Sequence, residues 1–396
     1  MQTIIDLLRV LVGNQSIVDV GRLSLKSEQE AREFVQAYGF DVRDVHDQKK
    51  LLYYYRRAFV FLTEKFDVSE DKIPSFFKKA NQIDHLLKML LLASGRSFEP
   101  GLEEECSVRE LQYWSCVLLR IMHAFIHAEN DLFHLFSEEI QKQILTPVQN
   151  VVITQGPDAK PYLKGIVFGQ EGRIELVRFE VKPHKTSVSS VIKLLAKAET
   201  HMIDIHDKIG VRFVTKNLID VFRVLLFLIE NHIVSPAHVM AGQTTNTIYP
   251  IDLLQTLMLD HDEKRNLFYR FLTVANSSDL SLEERKLYDL QERDLIEFLE
   301  AQLDGYREKV EFVRKENRYS AKEYQFIKFV ERRLIRLPNS YGSGRFFYPF
   351  EIQILTEAGY QRAMEGEGDH INYKQRQLAA AKARVLMADQ LLEENQ

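Results

Sequence analysis

Residues 148–181, VQNVVITQGPDAKPYLKGIVFGQEGRIELVRFEV, decide the fold class. VQNVVIT (148–154) is β-rich, and Tyr162 to Phe168 and Arg173 to Val181 flank GQEG, which predicts a hairpin turn. Upstream, residues 1 to about 147 read as nearly all helix. SEQEAREFVQAY (27–38) opens with a Ser cap and an acidic first turn and stops before Gly39. Asp47 to Lys65, Ile73 to Ala93 and Val108 to Gln143 carry apolar residues at helical spacing, the last long enough for two helices. Downstream, the pattern predicts a helix over Ser187 to Glu199, a strand over Val211 to Val214 and a helix over Leu218 to Asn231. Residues 251 to about 316 return to helix. Tyr324 to Leu337 and Phe346 to Leu355 read as strands joined by PNSYGSG, and a helix over about 357–394 closes the chain. The expected fold class is therefore α+β: a helical N-terminal domain over 1–147, then an α+β domain over 148–396 carrying a helical insertion.

Composition bounds the function. The chain has 396 residues, enough for two to three domains at ~150 residues each. With 45% apolar and 28% charged residues, it is neither a disordered chain nor a disulfide scaffold. Lys and Arg number 52 against 57 acidic residues, a net charge of −5, so no overall positive field draws nucleic acid or anionic lipid. Cys106 and Cys116 fall in one helical stretch, roughly 15 Å apart along a helix, which is too far for a disulfide and fits a reducing compartment. The N-terminal MQTIIDLLRVLVG carries Asp6 and Arg9 with no small-residue cleavage site after it. The best apolar run, Val221 to Ile229, is broken by Arg223 and falls short of the ~20 residues a membrane span needs. A cytoplasmic protein without a membrane partner is expected.

Four stretches carry chemistry-bearing residues. In KPHKTSVSSVIKLLAK (182–197), Val188, Val191, Ile192 and Leu195 form an apolar stripe, while Lys185, Ser189 and Lys193 recur at i, i+4 and i+8. Ammonium groups and a hydroxyl near a helix N-terminus make a polyphosphate clamp; an ordinary solvated helix face is the plain alternative. DIHDKIGVRFV (204–214) puts Asp207 just before a strand, Gly210 where backbone comes close, and Arg212 within the strand. A carboxylate there suits Mg²⁺, which needs one or two protein carboxylates. In FEIQILTEAGYQ (350–361), Glu351 and Gln353 project from one strand face, and Glu351 meeting Asp207 would make a metal and proton-transfer pair. In GEGDHINYKQ (366–375), His370, Tyr373 and Lys374 fall within one helical turn.

The order of these pieces resembles the synthetase domain of the RelA/SpoT alarmone synthetases, over about 180–235 and 320–376. Lys185, Ser189 and Lys193 match the family's R-x-K-x-x-x-S-x-x-x-K, whose Arg position holds Pro183 with Lys182 beside it. Asp207, Gly210 and Arg212 match D-x-x-G-x-R; Glu351, Gln353 and Thr356 match E-x-Q-x-R-T, with Leu355 at its Arg; His370, Tyr373 and Lys374 match H-x-x-Y-K. The G-Y-x-S-x-H strand matches least: EYQFIKF (323–329) keeps Tyr324, with Glu323, Phe326 and Lys328 at the Gly, Ser and His positions.

The resemblance implies a mixed-sheet, nucleotidyltransferase-like fold for the second domain and a Mg²⁺-dependent pyrophosphokinase, moving the ATP β,γ-pyrophosphate to a 3′-hydroxyl. Asp207 and Glu351 would be the catalytic carboxylates and hold Mg²⁺. Lys182, Lys185, Ser189, Lys193 and Arg212 would hold the triphosphate, and Tyr324, Gln353 and His370 would face the acceptor. The acceptor implied is GDP or GTP, with a tRNA 3′ end as the toxin-like alternative. A catalytically degenerate nucleotide-binding regulator on the same fold is the second reading, and a homo-oligomer stays open.

One further constellation lies outside that resemblance. In RIMHAFIHAENDLFHLF (120–136), His123, His127, Asp131 and His134 recur at i, i+4, i+8 and i+11, the His123 and His127 pair being spaced to bind a transition metal. Histidines packed at a helix interface are the alternative.

Overall fold

The alternation in FEIQIL (350–355) builds the centre of a five-stranded sheet. The structure, a computed structural model, describes residues 8–12, 15–79, 81–96, 106–154, 160–182, 186–197, 205–273, 281–306, 312–313, 325–338, 344–365 and 367–387. In chain order the strands are β1 (Val152–Ile153), β2 (Tyr162–Val167), β3 (Gln170–Glu175), β4 (Arg178–Lys182), β5 (Gly210–Thr215), β6 (Thr245–Asn246), β7 (Ile327–Arg336) and β8 (Arg345–Thr356). β1, β2 and β3 form an antiparallel sheet, and the other five run in the order β4-β5-β8-β7-β6. β5 and β8 are parallel while the remaining neighbours are antiparallel, so the sheet is mixed and the fold is α+β.

Register sets the two faces of the larger sheet. Gly210 lies opposite Glu351 and Arg212 opposite Gln353. Lys182 pairs with Gly210 and Glu180 with Arg212 on one flank, and Lys328 pairs with Gln353 on the other. Side chains alternate along a strand, so these polar residues share one face. The other face carries Val211, Phe213, Ile352 and Ile354, all fully buried. Each such side chain contributes about 1.5–3 kcal/mol relative to exposure. The helix Leu218–Glu230, capped by the Asn217 side chain accepting from Asp220 N, packs against β5 and β8.

Two compact units divide the chain. One comprises Met1–Leu135, Lys185–Ile205 and Lys374–Gln396; the other comprises Phe136–His184 and His206–Tyr373. In the first, helices Glu28–Ala37, Val45–Glu64, Ile83–Leu92 and Val108–Glu129 pack around Leu62, Phe125 and Leu118. Ser27 caps the first of these and Gly39, at φ 96°, ends it. The stripe of Val188, Val191, Ile192 and Leu195 on the helix Ser187–Ala196 joins this helical core. The second unit holds both sheets and the helices Ile251–Asp260, Asp262–Thr273 and Leu282–Tyr306, within the span expected as a helical insertion.

Several local expectations shift. The helix Leu132–Val151 runs through Pro147, leaving only Val152–Ile153 as strand, and the two units part at Phe136, where the helix kinks at φ −129° and ψ 32°. The stretch Arg173 to Val181 is two strands, because Leu176 N bonds Pro161 O in the small sheet and Val177 N bonds Val214 O in the large one. The hairpin turns at Phe168 and Gly169, both at positive φ, with Gln170, Glu171 and Gly172 already in β3. The helical stretch expected from Val108 breaks at Asn130, so Asp131 and His134 leave the face of His123; Asp131 Oδ1 instead accepts from His134 N. Cys106 precedes the helix Val108–Glu129, whose interior holds Cys116. No described helix is long and apolar enough to cross a membrane.

A buried charge cluster gives the first testable outcome. Arg223 Nη1 donates to Asp220 Oδ1 at 3.0 Å, and Glu292 and Tyr288 of the helix Leu282–Tyr306 are buried beside the pair. Burial, then the Asp220 charge, pushes the Glu292 carboxyl up, more than Lys216 and Arg223 pull it down. A raised carboxyl contributes stability at acid pH that is lost as pH rises through its folded value. Glu292→Gln is therefore expected to be as stable as the parent or more so at pH 7, with the advantage shrinking towards pH ~4. Urea denaturation midpoints at the two pH values check this.

Candidate functional site

The polar face of the five-stranded sheet brings together charges that a solvated face would leave apart. Glu351 is 5% exposed and Gln353 4%. Lys182 Nζ donates to Glu351 Oε1, and Lys328 Nζ lies 3.6 Å from Glu351 Oε2. Arg212 Nε donates to Gln353 Oε1 at 3.0 Å and its Nη1 to Glu180 Oε2 at 3.0 Å. Tyr360, on the helix Glu357–Glu365, donates its hydroxyl to Glu180 Oε1 at 2.8 Å, and Arg178 lies over its ring at 5.1 Å. Charge-assisted bonds of this kind fix side-chain position more firmly than neutral ones.

Asp207 sits in the turn just before β5. It lies close enough to raise Glu351 electrostatically. Glu351 still falls below the ordinary carboxylate range: burial raises it, but the ammonium groups of Lys182 and Lys328, with the Lys182 hydrogen bond, outweigh burial and Asp207 together. The carboxylate thus stays ionised at neutral pH. Beside Asp207, burial lowers the Lys208 ammonium to about 8.

Gly210 makes this packing feasible. A Cβ there would lie 3.1 Å from Glu351 O, 3.1 Å from Lys182 Cδ and 3.4 Å from Glu351 Cβ. The lysine stem crosses β5 where a side chain would otherwise stand, so Gly210 serves close approach and not a turn. Gly210→Ala is expected to push Lys182 off Glu351. The cost is about 1 kcal/mol of stability from overpacking, read as a lowered thermal unfolding midpoint.

The remaining sequence candidates distribute as follows. Ser189 and Lys193 lie on the helix Ser187–Ala196 in the helical unit, where Thr186 Oγ1 accepts from Ser189 N and caps it. Lys185 and Tyr324 lie outside the described residues, β7 beginning only at Ile327. His370 falls within the helix Glu367–Met387, its side chain outside what is described. His123 and His127 pack with ring centroids 4.4 Å apart, and His123 Nδ1 shares a hydrogen bond with Tyr38 Oη. Burial, then His127, lowers His123 to about 3, so the ring is neutral. Among the described residues no group of three or more His, Cys, Asp or Glu side chains is placed to hold a metal.

Sequence reasoning passed over Lys328, Glu180 and Tyr360. Lys328 was visible only as a departure at the family's His position. Glu180 and Lys182 alternate in RFEVK, the signal that they share a face. Tyr360 reaches the sheet from the following helix, which no spacing rule indicates.

Asp207 and Glu351 are hard oxygen donors of the kind Mg²⁺ takes, within electrostatic reach of each other, while Lys182 and Lys328 already stand against the two Glu351 oxygens.

No protein-family model matches the chain. No curated protein matches it. Among solved structures, one described as a GTP pyrophosphokinase family protein from Streptococcus pneumoniae is similar over 70% of this chain and 92% of its own, at 12% identity and a TM-score of 0.25. At that identity and score the likeness says nothing of this chain's role.

Proposed function

We propose that the polar sheet face is the phosphate-handling site of a Mg²⁺-dependent pyrophosphokinase. One observation carries the reading: Lys182, Arg212 and Lys328 converge on one sheet face around the buried carboxylate of Glu351, with Asp207 in electrostatic reach. Together with the ordered motif resemblance, this supports transfer of pyrophosphate from ATP to a nucleotide 3′-hydroxyl. In that reaction the acceptor hydroxyl oxygen attacks the β-phosphorus and gives up its proton to solvent, the bond from phosphorus to the α–β bridging oxygen breaks, and AMP leaves with that oxygen. Mg²⁺ held by Asp207 and Glu351 would supply Lewis-acid neutralisation of phosphate charge.

This chain's own groups then take definite roles. Arg212, pinned by Gln353 and Glu180, is preorganised to meet phosphate oxygens without reorganising. Lys182 and Lys328 supply mobile ammonium charge that can pass from Glu351 to a triphosphate. Glu351, kept ionised by those ammonium groups, is a poor proton acceptor, so its role is to orient the acceptor hydroxyl and share the metal.

The second reading, a nucleotide-binding regulator without turnover, draws on the same ion pairs. Both Glu351 oxygens already have an ammonium neighbour, so the sheet face is charge-compensated without a cation. Transfer of label from γ-labelled ATP, offered GDP, GTP, other nucleotides and bulk tRNA separately, tests the proposal. Label on an acceptor supports it and names that acceptor; ATP binding without transfer to any acceptor favours the regulator.

A further inference from the structure

The helical unit contains a cavity of about 290 Å³ that no role above uses. It lies among the helices Glu28–Ala37, Ile83–Leu92 and Val108–Glu129, with Phe34, Leu86, Leu119 and Ile126 among its apolar walls. Its volume is about twice that of an engineered apolar cavity of ~150 Å³ that stays dry and binds benzene.

One charged side chain in this wall is anomalous. Arg120 is 5% exposed. Its Nη1 donates to Val385 O at 3.1 Å and its Nη2 to Val20 O at 3.0 Å. Its buried Nε has no hydrogen-bond partner. Other buried or half-buried arginines have carboxylates: Arg223 has Asp220, Arg333 has Glu331 and Arg384 has Asp19. Arg120 has two backbone carbonyls and, among the described residues, no acidic partner. A buried guanidinium without a counter-charge is costly, and one in the wall of a cavity marks where an anion belongs. Of the wall's other polar groups, Tyr38 and His123 hydrogen-bond each other, Cys116 Sγ donates to Gly21 O, and Arg22 is exposed.

We infer that this cavity binds an apolar monocarboxylate, with its chain or ring against the Phe34, Leu86 and Ile126 walls and its carboxylate at Arg120. The chemistry is specific: an apolar body because the walls are apolar, an anionic head because the buried charge lacking a counter-charge is a cation, and a single head because Arg120 is the one buried cation of the wall. The inference is independent of the phosphate-site reading, and its test does not use turnover.

The experiment uses the full chain with decanoate and, as the uncharged match, decanol, read by calorimetry and thermal unfolding. Decanoate is expected to bind and raise the Tm, with decanol clearly weaker. Arg120→Gln is expected to weaken decanoate by about ten-fold or more while leaving decanol unchanged. Leu119→Trp, which fills the cavity and leaves Arg120 in place, is expected to abolish both. Equal binding of decanoate and decanol, or no binding of decanoate, overturns the inference. So does decanoate binding that survives either variant unchanged. Should Arg120→Gln fail to fold, the wild-type comparison and Leu119→Trp still decide.

Discussion

Glu351→Gln is expected to reduce pyrophosphate transfer by about 10²–10³, the loss typical of removing one fixed electrostatic group from a catalytic centre. The same change is expected to lower stability. Glu351 is buried between Lys182 and Lys328, whose side chains are 23% and 27% exposed. A neutral amide leaves both ammonium groups facing no opposite charge. Removing one partner of a fully buried pair costs about 3–5 kcal/mol, and partial solvation of the lysines reduces that here to about 1–3 kcal/mol. The two effects separate in the double variant Glu351→Gln with Lys182→Met. Removing the uncompensated cation is expected to restore much of the stability, because residues in one ion-pair network do not add. It is not expected to restore transfer. Denaturant midpoints and label transfer, measured on the parent, both single variants and the double, read each effect. Full transfer by Glu351→Gln would remove Glu351 from the mechanism.

Gly165→Ala is expected to destabilise the second unit more than any other alanine placed at a described glycine. A Cβ at Gly165 would lie 2.3 Å from Asn231 Oδ1 and 3.0 Å from both Asn231 Cγ and Phe227 Cζ. Asn231 cannot yield cheaply. Its Oδ1 accepts from Ile166 N at 2.8 Å, and its Nδ2 donates to Ile166 O at 2.7 Å and Phe227 O at 2.9 Å. One side chain thus ties β2 to the end of the helix Leu218–Glu230. Next to it, Glu230 accepts from Phe168 N at 2.7 Å and Gly169 N at 2.9 Å, holding the hairpin turn. Overpacking plus loss of these bonds gives a cost of about 2–4 kcal/mol. Combining Gly165→Ala with Asn231→Ala is expected to cost less than the sum of the two, since the clash and the bonds share one partner. A change within about 0.5 kcal/mol for Gly165→Ala alone, the range of ordinary surface substitutions, would contradict this account.

The same contacts show what was legible in the sequence. Local signals held well. Ser27 and Gly39 delimit the helix Glu28–Ala37, and the alternation of β8 places Glu351 and Gln353 on one face opposite Ile352 and Ile354. Gly210 was readable as a point of close approach, which its neighbours Lys182 and Glu351 explain. What failed depends on partners distant in sequence. The turn at Phe168 and Gly169 has no Asn-Gly signal; a Phe at φ 49° is held there by Glu230, 61 or 62 residues away. The break after Glu175 is invisible because it is a change of strand partner, from Pro161 to Val214. The burial of Glu351 was equally hidden, since its ammonium partners arrive from β4 and β7. The helix of Ser189 and Lys193 carries two independent signals: its apolar stripe decides which core it joins, and its polar spacing bears on a ligand.

The proposed reaction moves pyrophosphate intact, and its adenine product distinguishes it from transfer of a single phosphate. Purified protein with ATP, Mg²⁺ and the accepting nucleotide is expected to release AMP in equal amount to an acceptor heavier by two phosphates, with both products lost in Asp207→Asn. Release of ADP instead, or AMP without a heavier acceptor, would contradict the account.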